Sequence, residues 1–303
     1  MRDGPGPSQG QLLQLSADQL VGQFFPSACP GPGVIAFGGS GGGCPVEVGR
    51  RLAGEGFSCL SLRYFGARGL PRDLVEVPLD YVEHAVGWLC RQPSVAEGRL
   101  GVIGVSKGAE LALLCTTYFP EHFGAAVAYA PSAVAFAGIS SGGEGWRRSS
   151  WSYRSEPVPF VPYAQGSFRR SLRARGLARA SIYRAALQNA DSVEKARITI
   201  ENTGACFLLI TGGHDRVWPS SQMAEMLVAR MSGAGQRERV EHLHFRSAGH
   251  NFIPSASEIT PRPRGRALQA LRLRLVGGSP SANRLALQEA WPKAVTFLRS
   301  SLR

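Results

Sequence analysis

The sequence is short of acid. Its 303 residues carry 22 Asp and Glu against 34 Lys and Arg, a formal net charge of +12. An excess of that size favours anionic partners: nucleic acid, acidic membrane surfaces or a phosphorylated small molecule. No stretch resembles a helix-turn-helix, a zinc finger or an RNA-binding aromatic platform, so nucleic-acid binding would rest on charge alone and is not expected. No apolar run approaches the roughly 20 residues that cross a bilayer. The opening MRDGPGPSQG lacks the basic-then-apolar order of a secretory signal. The six cysteines (Cys29, Cys44, Cys59, Cys90, Cys115, Cys206) form no CxxC pair and no metal-ligand spacing, which excludes a zinc module and argues against a disulfide framework. Five lie in or beside apolar segments and read as small core residues. Cys44, which follows a glycine loop, is less easily dismissed. A soluble protein of a reducing, cytoplasmic compartment is expected, with no membrane and no metal. Hydrophobic content of 44% with 18% charged residues is ordinary for a folded domain.

What is present alternates. Short β-like runs are followed by helix-like stretches, the pattern of a mostly parallel α/β sheet with flanking helices. Strands are expected at 33–39 (GVIAFGG), 58–64 (SCLSLRY), 99–105 (RLGVIGV), 124–130 (GAAVAYA), 206–213 (CFLLITGG) and 240–246. Helices are expected at 76–91, 106–118 and 219–231, and an amphipathic closing helix at 283–302, which Pro292 interrupts or starts. From 137 to 180 the alternation fails: this segment is rich in Gly, Ser, Pro, Trp and Arg without a steady period. Falling between two core strands, it reads as a lid inserted over the carboxyl ends of the sheet. The competing reading is a surface excursion without persistent structure. A single domain, 1–303, carrying that insertion is expected.

The sharpest motif is Gly104-Val105-Ser106-Lys107-Gly108, directly after a strand and directly before a helix. That context is the nucleophile elbow of an α/β-hydrolase: a turn too tight for side chains two before and two after the serine, hence both glycines. Ser106 would stand exposed on a strained backbone, with a helix amino terminus aimed at the same place. A serine hydroxyl needs a base, and the base an orienting acid. In this fold both follow the nucleophile, each just past a late strand. Asp215, in TGGHDR, and His250, in SAGHN, meet the order Ser, Asp, His. Of the other histidines, His84 falls on a helix, His122 after a Pro-Glu corner, and His242 and His244 inside a strand. His214 precedes Asp215. The backbone N–H of Lys107 is placed to donate to an oxyanion, and its side chain reads as solvated. The second donor is expected from GGSGGG at 38–43, from Ser40 or Gly41, where consecutive glycines admit close backbone approach. That loop lacks the GK[ST] ending of a phosphate loop, so a nucleotide fold is disfavoured.

With these segments in view, the chain resembles the catalytic domain of the acyl-CoA thioesterase and bile-acid-CoA:amino-acid N-acyltransferase family. The likeness runs from about residue 32 to the end. It covers PGVIAFGGSGGG, RLAGEGFSCLSLRYF, GVSKGAELAL, GGHDRVW, SAGH and LVGGSPSANRLALQEAWPKAVTFL. The resemblance implies Ser106 as nucleophile, Asp215 and His250 as its partners, a coenzyme A thioester as substrate, and no cofactor. Animal-type members carry a β-sandwich domain ahead of the hydrolase, and some 30 residues precede the likeness here, which leaves acyl-chain preference and oligomeric state open. The N-acyltransferase branch uses cysteine as nucleophile, so serine at 106 favours water as acceptor. An esterase, lactonase or acyltransferase on the same residues is the second reading, and a non-catalytic binding protein of hydrolase fold the third.

Arginines are clustered: Arg147, Arg148, Arg154, Arg169, Arg170, Arg173, Arg175, Arg179 and Arg184 in and after the insertion, and Arg262, Arg264, Arg266, Arg272 and Arg274 before the closing helix. Guanidinium forks suit phosphate. An equal reading is a solvated surface. If the first cluster holds a coenzyme A handle, replacing Arg169, Arg170 and Arg173 together by Gln raises KM for a coenzyme A ester with kcat little changed. Added salt then weakens wild-type binding more than the variant's. Unaltered KM and salt response would return these arginines to the surface reading.

Overall fold

Apolar runs without polar alternation suit strands covered on both faces, and such runs build the centre of the sheet. The computed structural model describes residues 10–13, 19–163, 179–250, 252–254 and 275–302. Its strands are β1 (Gln11–Leu13), β2 (Gly22–Phe25), β3 (Gly33–Phe37), β4 (Ser58–Leu62), β5 (Val77–Pro78), β6 (Leu100–Val105), β7 (Phe123–Tyr129), β8 (Trp151–Tyr153), β9 (Glu156–Pro157), β10 (Cys206–Gly212) and β11 (Val240–Phe245). Its helices are α1 (Val46–Gly54), α2 (Leu79–Cys90), α3 (Lys107–Tyr118), α4 (Arg179–Ala186), α5 (Ala190–Lys195), α6 (Ser220–Gly233) and α7 (Pro280–Ser301).

Eight strands form one sheet in the order β1-β2-β4-β3-β6-β7-β10-β11. The first two pairings are antiparallel and the remainder parallel. Alternate residues of the central strands enter two cores. Ile35, Phe37, Val102, Ala126, Ala128, Phe207 and Leu209 face the core shared with α2, α3 and α6. Val34, Ala36, Ile103, Val127, Leu208 and Ile210 face the one shared with α1 and α7. In-register pairs at the carboxyl ends, Phe37 with Gly104 and Val105 with Tyr129, align the rims of β3, β6 and β7. Loops leaving that rim converge, which is where open α/β sheets hold their ligands.

The expected 76–91 helix begins later. Glu76 has φ 47° and Val77–Pro78 pairs with β8, so the helix starts at Leu79. β8 and β9 complete a second, three-stranded sheet with β5. Within the expected insertion, residues 137–163 are knitted in by bridges from Ala137 to Ser149 and from Phe136 to Val161. Trp151, Val161 and Tyr163 of this segment are buried. Residues 164–178, with Arg169, Arg170, Arg173 and Arg175, lie outside the described residues, as do Arg262, Arg264, Arg266, Arg272 and Arg274. Two cysteines differ from expectation: Cys29 sits exposed in the bend after β2, and Cys90 is exposed on the last turn of α2. Cys59 and Cys115 are buried, and Cys44 and Cys206 half-buried.

Pro292 neither interrupts nor starts the closing helix, which runs unbroken around it. The bond it forfeits would reach the carbonyl of Gln288; Gln288 and Pro292 are both on the exposed side, so water can satisfy that oxygen. Trp291 and Val295 are buried. Proline still costs helix stability relative to alanine. Pro292→Ala is therefore expected to raise the melting temperature, by about 1 kcal/mol in unfolding free energy, less than the full interior penalty because α7 is held by packing. A lower melting temperature would show that the proline shapes that packing.

Candidate active site

Ser106 lies between β6 and α3 with φ 57° and ψ −122°, a region that non-glycine residues avoid at a cost of about 1–3 kcal/mol. The close approach explains its glycines. A Cβ on Gly104 would run into the carbonyl of Gly108, and a Cβ on Gly108 into that of Gly38. The Ser106 N–H donates to the Tyr129 carbonyl at 2.9 Å, tying the turn to the end of β7.

Asp215 follows β10, and His250 follows β11. Ser106, Asp215 and His250 are each less than a tenth exposed. His250 Nδ1 stands 2.8 Å from Asp215 Oδ2, which also accepts from the Ser220 hydroxyl at 2.7 Å. Asp215 Oδ1 accepts from the backbone N–H groups of Val217 (2.9 Å) and Trp218 (3.2 Å). These contacts together hold the carboxylate in one orientation. The Trp218 ring meets the imidazole edge-on, centroids 6.0 Å apart. The remaining histidines lie elsewhere. His214 is exposed, while His242 Nε2 and His244 Nδ1 both contact Thr211 Oγ1, at 2.8 and 2.9 Å.

The loop bearing His250 depends on residues that motif reading did not single out. The His250 N–H donates to the Val276 carbonyl at 2.8 Å, and the Gly249 N–H to Asn283 Oδ1 at 2.7 Å. Both partners belong to LVGGSPSAN, the segment before and into α7. Its inclusion in the family likeness was the available signal.

Gly39 lies against the elbow: a Cβ there would be 3.5 Å from Ser106 Cβ. The Gly42 N–H closes a turn onto the Gly39 carbonyl at 3.1 Å, with Ser40 and Gly41 exposed at its tip. Tyr64 braces the start of this loop by donating to the Gly38 carbonyl at 2.7 Å.

Lys107 departs from its expected solvated state. Its side chain is 1% exposed and its ammonium lies 2.8 Å from Glu110 Oε1. The reason is α3 itself, in which every residue from Lys107 to Thr116 is buried, so that no helix face reaches water. Burial pulls the lysine below its ordinary range, against the attraction of Glu110, and pushes the glutamate up. Among the described residues, no group of three His, Cys, Asp or Glu side chains is arranged to hold a metal ion.

The family model for the BAAT / acyl-CoA thioester hydrolase C terminal domain matches residues 77–303. The chain belongs to this family. It is 28% identical over 277 residues to acyl-coenzyme A thioesterase 2, mitochondrial, of Mus musculus, covering 91% of this chain and 57% of that protein. It is 27% identical over 320 residues to acyl-coenzyme A thioesterase 1 of Homo sapiens, covering 99% and 72%. The chain spans about three fifths of the length of the mouse thioesterases 1 and 2. Among solved structures it is similar to a Pyrococcus furiosus esterase (TM-score 0.55, 15% identity, 94% of this chain and 86% of that one). It is also similar to a puromycin-hydrolyzing peptidase of Mycobacterium tuberculosis (TM-score 0.57, 16% identity, 97% and 39%). The fold is that of the α/β-hydrolases.

The Asp215 contacts predict the effect of removing its charge. An amide at this position must aim its NH2 either at two backbone N–H groups or at Ser220 and His250. Asp215→Asn is expected to lower kcat by about 10⁴ with the fold retained, as when an orienting carboxylate is neutralised in a serine hydrolase. Ser220→Ala, which removes one of the four donors, should cost far less, about ten-fold, the scale of one hydrogen bond to a charged group. A loss for Ser220→Ala equal to that for Asp215→Asn would show that the hydroxyl, not the charge, orients His250.

Proposed function

We propose that the chain is a serine hydrolase that cleaves acyl-CoA thioesters to free acid and coenzyme A. The observation that carries this is the 2.8 Å His250–Asp215 contact at the same sheet rim as a strained Ser106, in a chain of the thioester hydrolase family. His250, oriented by Asp215, takes the Ser106 proton as Oγ attacks the thioester carbonyl. Backbone N–H groups of Lys107 and of the glycine loop, from Ser40 or Gly41, receive the oxyanion, often the largest single contribution to such catalysis. Thiolate leaves with the proton from His250. The imidazole then activates water, and the acyl-enzyme collapses to acid and free serine. Serine at 106 supports water rather than an amine as acceptor.

The same reading takes residues 1–303 as one hydrolase domain and residues 137–180 as a lid inserted over the site. The +12 charge supports a phosphorylated handle on the substrate. No helix among the described residues is long and apolar enough to cross a membrane. We place the protein in the cytoplasm on its composition, although matched relatives include mitochondrial forms.

A panel of acyl-CoA esters of graded chain length, followed by thiol release, tests the substrate; addition of glycine or an alcohol reads transfer by its product. Ser106→Ala should lower turnover by about 10³ or more while leaving the fold intact. A variant keeping a tenth of wild-type turnover would remove Ser106 from the mechanism. His214→Ala should be mild beside His250→Ala, because His214 points to solvent. Equal losses would mean the base is misassigned.

A further inference from the structure

The first turn of α3 contains an ion pair that the hydrolytic cycle does not use. Lys107 Nζ contacts Glu110 Oε1 at 2.8 Å, the Ser150 hydroxyl at 2.8 Å and the Phe136 carbonyl at 3.3 Å. Glu110 Oε1 accepts in addition from the Trp151 indole N–H at 2.7 Å and the Phe136 N–H at 3.0 Å. Glu110 Oε2 is buried without a hydrogen-bond partner. Desolvating two such charges costs several kcal/mol per ion, and apolar residues of the same volume are often as stable or more so. Stability alone therefore does not account for a lysine and a glutamate here.

Their contacts do. The pair fastens the nucleophile's helix to the segment that runs from Phe136 to Trp151. That segment is held together by its own bonds, Ser150 donating to the carbonyls of Phe136 and Ala137 at 3.0 Å. The link continues beyond it. The Trp151 ring lies 5.7 Å, centroid to centroid, from that of Tyr64, whose hydroxyl donates to the Gly38 carbonyl. Gly38 starts the glycine loop. One buried network thus reaches both pieces of backbone to which the hydrolase reading assigns the oxyanion: the Lys107 peptide and the glycine loop.

We propose that Lys107 and Glu110 are positioning residues, which hold the two oxyanion-facing backbone segments at a fixed separation by clamping both to the 136–151 segment. Neither side chain touches the reacting atoms. They act through the Lys107 peptide and through the Trp151–Tyr64–Gly38 contact. The inference rests on the serine-hydrolase reading but not on the identity of the acyl group.

The test is the double variant Lys107→Met with Glu110→Gln, which removes both charges, keeps the volumes and leaves an amide oxygen for Phe136 N–H and Trp151 Nε1–H. Its reaction with a fluorophosphonate and its hydrolysis of p-nitrophenyl acetate are compared with wild type, neither probe requiring coenzyme A. A displaced donor of about 1 Å costs about 10²-fold, so kcat and the phosphonylation rate should both fall by about that factor, with KM within about two-fold. Affinity for a trifluoromethyl ketone should weaken in parallel with kcat, because that adduct carries the oxyanion. A folded double variant with wild-type kcat would overturn the proposal, as would a loss of kcat matched by the loss of folded protein. If the double variant does not fold, Trp151→Phe and Ser150→Ala carry the test, each removing one bond to the pair. Each should lower kcat about ten-fold, the scale of a hydrogen bond to a charged group, at constant KM; wild-type kcat in both would overturn the proposal. A wild-type protein inert to fluorophosphonate would sink the hydrolase reading and the clamp with it. A reactive wild type with an equally reactive variant sinks the clamp alone.

Discussion

The turn at Ser106 constrains everything around it. A strand can pass into a helix with no intervening loop only if the backbone takes a left-handed residue and the flanking positions have no Cβ. Ser106 has φ 57°, and Gly104, Gly108 and Gly38 meet where side chains would collide. The Gly38 contact requires β3 beside β6, and the Ser106 N–H bond to Tyr129 requires β7 on the other side. The sheet order at the centre is thus the order the turn needs. Helix α3, buried along its whole amino-terminal length, follows from the same geometry, because it must descend beneath the strand that it leaves.

A second constraint binds the acid and base loops to the end of the chain. Close-packed glycines stack there: a Cβ on Gly212 would meet the Gly249 carbonyl, one on Gly249 the Gly277 carbonyl, and one on Gly277 the His214 carbonyl. The turns carrying Asp215 and His250 therefore rest directly on the segment that leads into α7. Asn283, on the first turn of that helix, accepts from Gly249 N–H. The closing helix is part of the site's support, and the unbroken run through Pro292 keeps its buried face, Ala286 to Leu298, continuous against the sheet.

Much of the centre was legible in the residues, and for a physical reason. Strands buried on both faces must be apolar throughout, so GVIAF, LGVIGV and CFLLITG declare themselves, as does a glycine-flanked serine between strand and helix. The margins were not legible. GQFF of β2 and the three residues of β1 have no pattern of their own; β2 is a strand because β4 offers an edge, and β1 because β2 then offers another. β5, β8 and β9 pair over two residues at a time, too few for any periodicity. The choice between Ser40 and Gly41 as oxyanion donor was not legible either, because a run of equivalent glycines cannot distinguish its members. Lys107 is buried, although a lysine three residues from a glutamate ordinarily marks a solvated helix face. The contrary signal is that GAELALLC has no charged residue but Glu110 and is otherwise apolar all round, as a buried helix is.

That burial bears on energetics. Two unfavourable features coincide at one turn: a serine in a strained conformation, at about 1–3 kcal/mol, and a desolvated ion pair on the next four residues. Neither would persist unless its surroundings left no alternative. Burial of Leu111, Leu113 and Leu114 supplies roughly 1.5–3 kcal/mol each, and all three belong to the core against which α3 is pressed. The packing of the helix is thus large enough to hold a turn that its own backbone disfavours. Packing, however, fixes a helix against a sheet more firmly than it fixes rotation of the first peptide about the helix axis, because apolar contacts are not directional. Hydrogen bonds are directional. The ammonium of Lys107 and the carboxylate of Glu110 supply, at the one turn where orientation matters, the constraint that Leu111, Leu113 and Leu114 cannot.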